Sequence, residues 1–315
     1  MTRTPIVLDC DPGLDDVVAI LTAARYADLV GITTVCGNSS LANTTRNALH
    51  VVELVGLDLP VHSGAASPLV APLHDARHIH GESGLGGHVP TVSRTVDGDD
   101  AAGWLCDLTR RRSDIHLVAV GPLTNVALAI RRDPGFAGRL AGLTIMGGGV
   151  NKGNVTAVAE FNIWADPEAA AVVFDSEITV RMAPLDLTLQ VLMTEPHVAK
   201  LRDAATRTSS FVAELLEFYS ARQRAQGKES AGAVHDPCAV LSVTHPELFD
   251  LHEHRVDIEL TGTHTRGMTV ADRRERLPDR PLNAQIALGA RADEVLALIV
   301  DAAIDPIPSV DRAGS

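Results

Sequence analysis

The sequence predicts an α/β fold: a single large domain, residues 1–315, around a mainly parallel, Rossmann-like central sheet flanked by helices. Three observations support this prediction. Short apolar, β-branched segments alternate with helical patterns, as expected for βαβ units. An apolar content of 45% in 315 residues allows a large core. Polar clusters follow several of the predicted strands, where open α/β sheets build their sites.

The first βα unit lies at the N-terminus. Residues 5–8 are apolar and β-branched, which favours a strand buried on both faces, and Pro12-Gly13 then turns the chain. Residues 17–24 have a helical pattern. The first turn of this helix holds Asp15 and Asp16, where the positive end of the helix dipole favours acidic groups.

The alternation continues towards the C-terminus. Further strands are predicted at 29–35, 115–120, 143–146 and 178–182, and helices at 41–54, 123–130 and 167–174. Residues 194–225 are mostly helical in pattern, and the segment 194–230 is a candidate helical cap. In the tail, 256–260 and 268–270 are predicted to pair as strands, 272–280 to form a loop, and 292–303 to form a final helix.

Composition narrows the classes of function. A net charge of -13 argues against nucleic acid or an anionic membrane as partner and favours a small neutral or cationic substrate. There is neither an export signal nor a run of about 18 apolar residues, so a soluble, cytoplasmic protein is expected. The cysteines, Cys10, Cys36, Cys106 and Cys238, lack C-x-x-C spacing and are predicted to be reduced and buried.

The strongest chemical signal is the segment 9–16, which holds four carboxylates in eight residues. One or two aspartates beside a Pro-Gly turn are typical of a cap. Four carboxylates at the end of a buried strand repel one another and cost several kcal/mol to desolvate, so the pattern favours a bound cation. Hard carboxylate oxygens suit Ca²⁺ or Mg²⁺ better than Zn²⁺ or copper.

Other polar residues follow the remaining predicted strands. They are Asn38 after the second strand, the segment 121–125 after Val120, Asn154, Glu160 and Asn162 before the helix at 167, and His235-Asp236 before an apolar run. Each alone is typical of a turn or a cap. Their shared position at strand ends predicts one site.

The segment 9–16 resembles the aspartate signature of the inosine-uridine preferring nucleoside hydrolases. The resemblance covers about residues 5–240 in the order and spacing of that family, through Gly37-Asn38, His80-Gly81, 121–125, 159–170 and His235-Asp236. It implies one α/β domain, usually assembled as a homodimer or homotetramer. It also implies Ca²⁺-dependent hydrolysis of the N-glycosidic bond of a ribonucleoside to ribose and free base, in nucleoside salvage.

The resemblance also implies roles for individual residues. Asp11 and His235 match the catalytic base and the acid for the leaving nucleobase. The Ca²⁺ ligands correspond to the carboxylates of Asp11, Asp16 and Asp236 and the backbone carbonyl of Val120. Ribose ligands correspond to Asp15, Asn38, Asn154, Glu160 and Asn162, while His80 matches a second histidine near the base. An oxocarbenium-like sugar would be stabilised by the acidic cluster.

Base preference is the least determined feature. Gln223 is the candidate contact to the base in the segment ahead of His235, and Gly227 stands where pyrimidine-preferring relatives tend to place a tyrosine. A strict pyrimidine preference is therefore not expected. Trp164 and Phe161 are the candidates for stacking on a purine.

The sequence leaves three alternative functions open. Asp9-Cys10-Asp11 also resembles the nucleophile motif of haloacid-dehalogenase-type phosphatases, although Pro12-Gly13 and the downstream matches speak against it. A non-catalytic nucleoside-binding protein would need the sugar ligands but not a full set of base, metal and acid. A hydrolase of another N-ribosyl compound, such as a nicotinamide or cytokinin riboside, would use the same residues.

Overall fold

The computed structural model describes residues 3–225, 232–274 and 280–307. In chain order, the strands are β1 (Pro5–Cys10), β2 (Asp28–Thr34), β3 (Val61–Ser63), β4 (His116–Ala119), β5 (Gly142–Met146), β6 (Val180–Ala183), β7 (Leu192–Met193), β8 (Gly232–Ala233), β9 (Phe249–Ile258), β10 (Thr269–Asp272) and β11 (Ala284–Ala290). The helices are α1 (Leu14–Tyr26), α2 (Leu41–Val55), α3 (Arg77–His80), α4 (Ala101–Arg111), α5 (Thr124–Arg132), α6 (Phe136–Arg139), α7 (Phe161–Ala165), α8 (Pro167–Phe174), α9 (Leu185–Thr188), α10 (Glu195–Ala204), α11 (Arg207–Ala225), α12 (Asp236–Thr244) and α13 (Ala292–Ile304).

Nine strands form one sheet in the order β10-β9-β11-β6-β5-β4-β1-β2-β3. The pairs from β11 through β6, β5, β4, β1 and β2 to β3 are parallel, whereas β9 pairs antiparallel with both β11 and β10. The predicted mainly parallel sheet is therefore confirmed. The chain runs from β1 outwards to β3 and returns to β4 on the other side of β1, so the topological switch point lies between β1 and β4, where such sheets bind ligands.

Strand β1 is buried on both faces. Ile6, Leu8 and Cys10 pack into a core layer with residues of α1, α2, α11, α12 and α13, whereas Val7 packs into the opposite layer with residues of α4, α5 and α8. This division follows from the alternation of side chains along a strand. As predicted, all four cysteines are free and buried.

The predicted strands and helices up to residue 182 are confirmed within a few residues. The predicted pairing of 256–260 with 268–270 is also confirmed, as β9 with β10, although β9 begins earlier, at Phe249. The sequence interpretation assigned no element to β3, α4, α12 or β11. The predicted cap corresponds to α10 and α11, and its residues 226–230 lie outside the described residues, as do 275–279 of the predicted loop. No helix in the described ranges is long and apolar enough to cross a membrane.

Candidate active site

A cavity of about 680 Å³ opens beyond the carboxyl ends of β1, β2, β4 and β5. Nine residues predicted for the site line it together: Asp15, Asn38, His80, Val120, Asn154, Glu160, Asn162, His235 and Asp236. The cavity also has an apolar wall, formed by Leu185, Leu189, Leu192, Leu216 and Tyr219 among others. A polar floor beside an apolar wall suits a ligand that has a hydroxylated part and a flat, less polar part.

The acidic turn after β1 is held by its own hydrogen bonds. Asp16 accepts the backbone N–H of Asp11 (3.0 Å) and, through its second oxygen, the backbone N–H of Gly13 (2.9 Å) and the side-chain amide of Asn38 (3.0 Å). Asp11 accepts the backbone N–H of Asn38 at 2.7 Å. Asp11 lies so close to Gly37 that an added Cβ would come within 2.1 Å of its Oδ2. The close packing explains the glycine at that position.

Three carboxylates converge at the edge of the cavity, and two of them, Asp15 and Asp236, line it. One oxygen from each of Asp15, Asp16 and Asp236 lies within 4.8 Å of the others. Asp15 and Asp16 occupy the first turn of α1, and Asp236 is the first residue of α12. The two helices pack side by side, so their positive N-terminal ends both face the cluster. Asp11, predicted as a ligand, is not part of this group of three but contacts Asp16 through its backbone.

The electrostatics of the cluster fit a divalent cation. Burial, together with neighbouring aspartates, raises the pKa of Asp11 and Asp236 well above the ordinary value and that of Asp16 to about 7. Oδ1 of Asp11 is buried and has no hydrogen-bond partner among the described residues. Unpaired buried carboxylates are unfavourable. A bound cation would offset the repulsion between them and would coordinate the oxygen that lacks a hydrogen-bond partner. The described residues thus form an aspartate cluster able to bind a metal ion.

Asp9 lies behind this cluster, fully buried in β1. Its Oδ1 accepts hydrogen bonds from Thr33 of β2 (2.5 Å) and from the amide of Asn125 (2.7 Å). Burial raises the pKa of Asp9 to about 6. Asn125 also donates to the carbonyl of Thr34. Asp9 and Asn125 therefore join β1, β2 and the start of α5 under the acidic turn.

Glu160 and Asn162 form the opposite side of the floor. Glu160 is 2% exposed and caps α7: its carboxylate accepts backbone N–H groups from Gly148 (2.8 Å), Asn162 (2.9 Å) and Ile163 (3.3 Å). Burial raises the pKa of Glu160 to about 7 despite these bonds. The Asn162 amide donates to the carbonyl oxygens of Val120 (2.8 Å) and Met146 (3.0 Å). The Oδ1 atom of Asn162 is then the part of its amide available for a ligand.

The remaining predicted sugar ligand, Asn154, lies in an exposed loop. Its Oδ1 accepts the backbone N–H of Phe161 at 2.9 Å, and this bond fixes its amide next to α7. Phe161 and Trp164, the predicted stacking candidates, also line the cavity. Gln223 belongs to α11, but its side chain lies outside the described part of the chain.

Four histidines among the described residues line the cavity, and two of them, His80 and His235, were predicted for the site. The backbone N–H of Leu14 donates to Nδ1 of His80 at 3.1 Å. Since a backbone amide only donates, the neutral ring of His80 carries its proton on Nε2. Burial lowers the pKa of His80 to about 4. This ring is therefore a neutral hydrogen-bond donor near pH 7.

His235 immediately precedes α12, next to Asp236. Its Nδ1 lies 2.7 Å from the hydroxyl of Thr188 at the end of α9, and burial lowers its pKa. Sequence reasoning did not identify Thr188. The motif around it carries no chemical signal, because a threonine 47 positions before a histidine becomes its partner only through the fold.

Comparisons with known proteins agree with this geometry. The family model described as inosine-uridine preferring nucleoside hydrolase matches residues 6–297. The chain is 42% identical to an inosine-uridine preferring nucleoside hydrolase of Crithidia fasciculata, over 94% of this chain and 96% of that protein. It is 41% identical to a non-specific ribonucleoside hydrolase of Salmonella newport, over 91% and 94% respectively.

A solved structure shows the same fold. The purine-preferring ribonucleoside hydrolase of Gardnerella vaginalis superimposes with a TM-score of 0.90 at 30% identity, covering 96% of this chain and 98% of that one. The family model spans nearly the whole described chain, and nine of the residues that the resemblance assigned to the site line one cavity. The chain therefore belongs to the inosine-uridine preferring nucleoside hydrolase family and is a nucleoside hydrolase.

Proposed function

We propose that the protein hydrolyses the N-glycosidic bond of a ribonucleoside with a Ca²⁺ ion at the aspartate cluster. In this reaction water adds its oxygen to the ribosyl C1′, the bond from C1′ to the base nitrogen breaks, and the base leaves with a proton. The observation that carries the proposal is the group of carboxylates beside a cavity that His80 and His235 also line.

Asp11, Asp16, Asp236 and the carbonyl of Val120 are the proposed metal ligands, and the position of Asp15 in the carboxylate group suggests that it contributes as well. Hard oxygen donors of this kind favour Ca²⁺. A bound divalent cation supplies a Lewis acid that lowers the pKa of a coordinated water. Asp11 is the proposed general base, because its Oδ1 is unpaired and buried and its pKa is raised, so that it can accept a proton.

The sugar is proposed to bind between the acidic turn and α7. Asp15, Asn38, Asn154, Glu160 and Asn162 all line the cavity and offer oxygen and amide groups to ribose hydroxyls. A substrate that lacks a hydroxyl would leave buried polar groups without partners, so these residues favour ribose over deoxyribose. The acidic floor also stabilises positive charge on the sugar in an oxocarbenium-like transition state.

The base is proposed to leave against the apolar wall, with His235 as proton donor and His80 as a neutral donor beside it. Both imidazoles line the cavity with Leu216 and Tyr219 of α11. We also propose that the protein acts in nucleoside salvage, that it is cytoplasmic, and that it assembles as a homodimer or homotetramer. A nicotinamide or cytokinin riboside remains the second candidate substrate, since the proposed sugar contacts are the same.

The test is release of free base from a panel of purine and pyrimidine ribonucleosides, nicotinamide riboside and a cytokinin riboside. Each is assayed after chelation and again after Ca²⁺ or Mg²⁺ is restored. We expect hydrolysis only with metal, and a lower melting temperature in chelator because a ligand that binds the folded state stabilises it. Metal-independent turnover would contradict the cofactor assignment, and binding without turnover would indicate a nucleoside-binding protein.

The Asp11→Ala variant tests the proposed base. We expect it to lower kcat by at least about 10³-fold while the protein stays folded, since the variant loses both the base and an oxygen ligand. Asp58→Ala, the same change at an exposed position, is the matched control and should keep full activity. Substantial turnover by Asp11→Ala would remove the base role from this residue.

A further inference from the structure

One face of α11 contacts the segment 76–88, which we call the His80 loop. Glu214, Phe218 and Arg222 are spaced four residues apart and so lie on one side of the helix. Oε2 of Glu214 lies 3.0 Å from Nε2 of His88. A Cβ added to Gly86 would come within 2.9 Å of the Phe218 ring. These contacts dock the His80 loop along the helix.

Arg222 makes the contact nearest to His80. Its Nη1 donates to the carbonyl oxygens of Arg77 (3.1 Å) and His78 (2.6 Å). Both carbonyls belong to α3, whose last residue is His80. The guanidinium carbon lies 5.0 Å from the centroid of the Phe218 ring, which supports its orientation through a cation–π contact. Carbonyls at a helix C-terminus carry partial negative charge, so a cation bonded to them is favourable.

The opposite side of the His80 loop is attached to the acidic turn. The N–H of Leu14 donates to His80, and the amide of Asn47 donates both to the carbonyl of Pro12 (2.9 Å) and to that of Ser83 (2.8 Å). Leu216 and Tyr219 of α11 line the apolar wall of the cavity. The His80 ring is thus held between two anchors, the acidic turn beneath the sugar site and the helix beside the base site.

We propose that Arg222 is a positioning residue for His80: it fixes the distance between that ring and the wall formed by α11. The inference rests on the proposed function, because it takes His80 to contact the leaving base. The variant that tests this role is Arg222→Met. It keeps a long apolar stem against Phe218 and removes the guanidinium group that donates both hydrogen bonds.

The experiment is a double-mutant cycle of Arg222→Met and His80→Ala. Each variant is assayed on a ribonucleoside and on nitrophenyl riboside, whose leaving group needs no help from the protein. We expect Arg222→Met to lower kcat/KM for the ribonucleoside about tenfold, with little change for nitrophenyl riboside. In the His80→Ala background the same change should have no further effect, since a residue that acts through His80 has nothing left to position.

Two further variants serve as a conservative replacement and as a control. Arg222→Lys keeps a cationic donor and should recover most of the activity, and it also serves if the methionine variant does not fold. Arg224→Met, at an exposed position of the same helix, is the matched control. Equal losses on both substrates, or effects additive with His80→Ala, would overturn the positioning role. A wild-type enzyme that releases no base would overturn the proposed function itself.

Discussion

His80 and His235 each engage a protein partner through Nδ1, the N–H of Leu14 and the hydroxyl of Thr188 respectively. The Nε2 atom of each ring is therefore the nitrogen that these bonds leave for a ligand. For His80 the tautomer is fixed, because its partner can only donate. For His235 the hydroxyl of Thr188 can donate or accept, so the ring can change its protonation state without losing this hydrogen bond. This difference suits His235 to proton transfer and His80 to steady hydrogen bonding.

The Thr188→Val variant tests this division at the level of one residue. Valine keeps the shape of threonine but removes the hydroxyl that orients His235. We expect kcat for a ribonucleoside to fall about tenfold, while Thr188→Ser, which keeps the hydroxyl, stays close to wild type. Steady-state kinetics on both variants provide the measurement. If serine and valine are equally impaired, the methyl group rather than the hydroxyl is what matters at this position.

At the level of secondary structure, the edge strand β10 stabilises the glycine turn after β5. The hydroxyl of Thr269 accepts the N–H of Gly149 (3.0 Å) and donates to the carbonyl of the same residue (2.6 Å). The neighbouring Gly148 has a φ of 75° and donates its N–H to Glu160. A positive φ is accessible to glycine at little cost. The antiparallel end of the sheet therefore supports a carboxylate of the site.

Replacing Thr269 by valine should weaken this support. The change leaves a buried N–H and a buried carbonyl of Gly149 without partners, so we expect the free energy of unfolding to fall by about 2 kcal/mol. KM should rise, because the turn that holds Glu160 is loosened. Urea unfolding and kinetics on Thr269→Val and Thr269→Ser make the comparison, and serine should preserve both quantities. A stable valine variant with normal KM would show that the turn holds its shape alone.

The sequence predicted the parallel strands β1, β2, β4, β5 and β6 because they are mostly apolar and β-branched, and it predicted the carboxylates because they cluster in one short segment. It did not predict β11, whose Ala284, Ala287, Gly289 and Ala290 have weak strand propensity, or β3, which has three residues. Thr188, Thr269 and Arg222 were missed for a different reason. Each acts on a residue far away in the chain, and such pairings arise only when the fold brings segments together.

At the level of the whole molecule, a partly buried histidine lies at the opposite end of the parallel strands from the cavity. His116, the first residue of β4, has Nε2 2.8 Å from the hydroxyl of Thr144 on β5. Burial, with a smaller contribution from Arg181, lowers the pKa of His116 from 6.5 to about 4. The folded state therefore binds this proton more weakly than the unfolded chain. The stability contributed by the neutral ring is present above pH 6.5 and is lost as the pH falls towards 4.

Substituting His116 by glutamine should reduce the acid sensitivity of the protein. Glutamine retains a polar group for Thr144 but does not titrate. Between pH 7 and pH 4 the free energy of unfolding of the wild type should fall by roughly 3 kcal/mol more than that of His116→Gln. Urea denaturation at several pH values measures the difference. Parallel curves for the two proteins would mean that His116 is not the group responsible.

The aspartate cluster is divided between the two ends of a long stretch of chain. Asp15 and Asp16 lie in the first helix, whereas Asp236 begins α12, and α1 packs against α12. During synthesis the acidic turn leaves the ribosome long before the helix that completes it. A polypeptide that stops short of α12 carries the repelling carboxylates without Asp236 or His235. Translation that stops before α12 therefore yields products that lack two residues proposed for the site, and the complete aspartate cluster forms only once about three quarters of the 315 residues have been made.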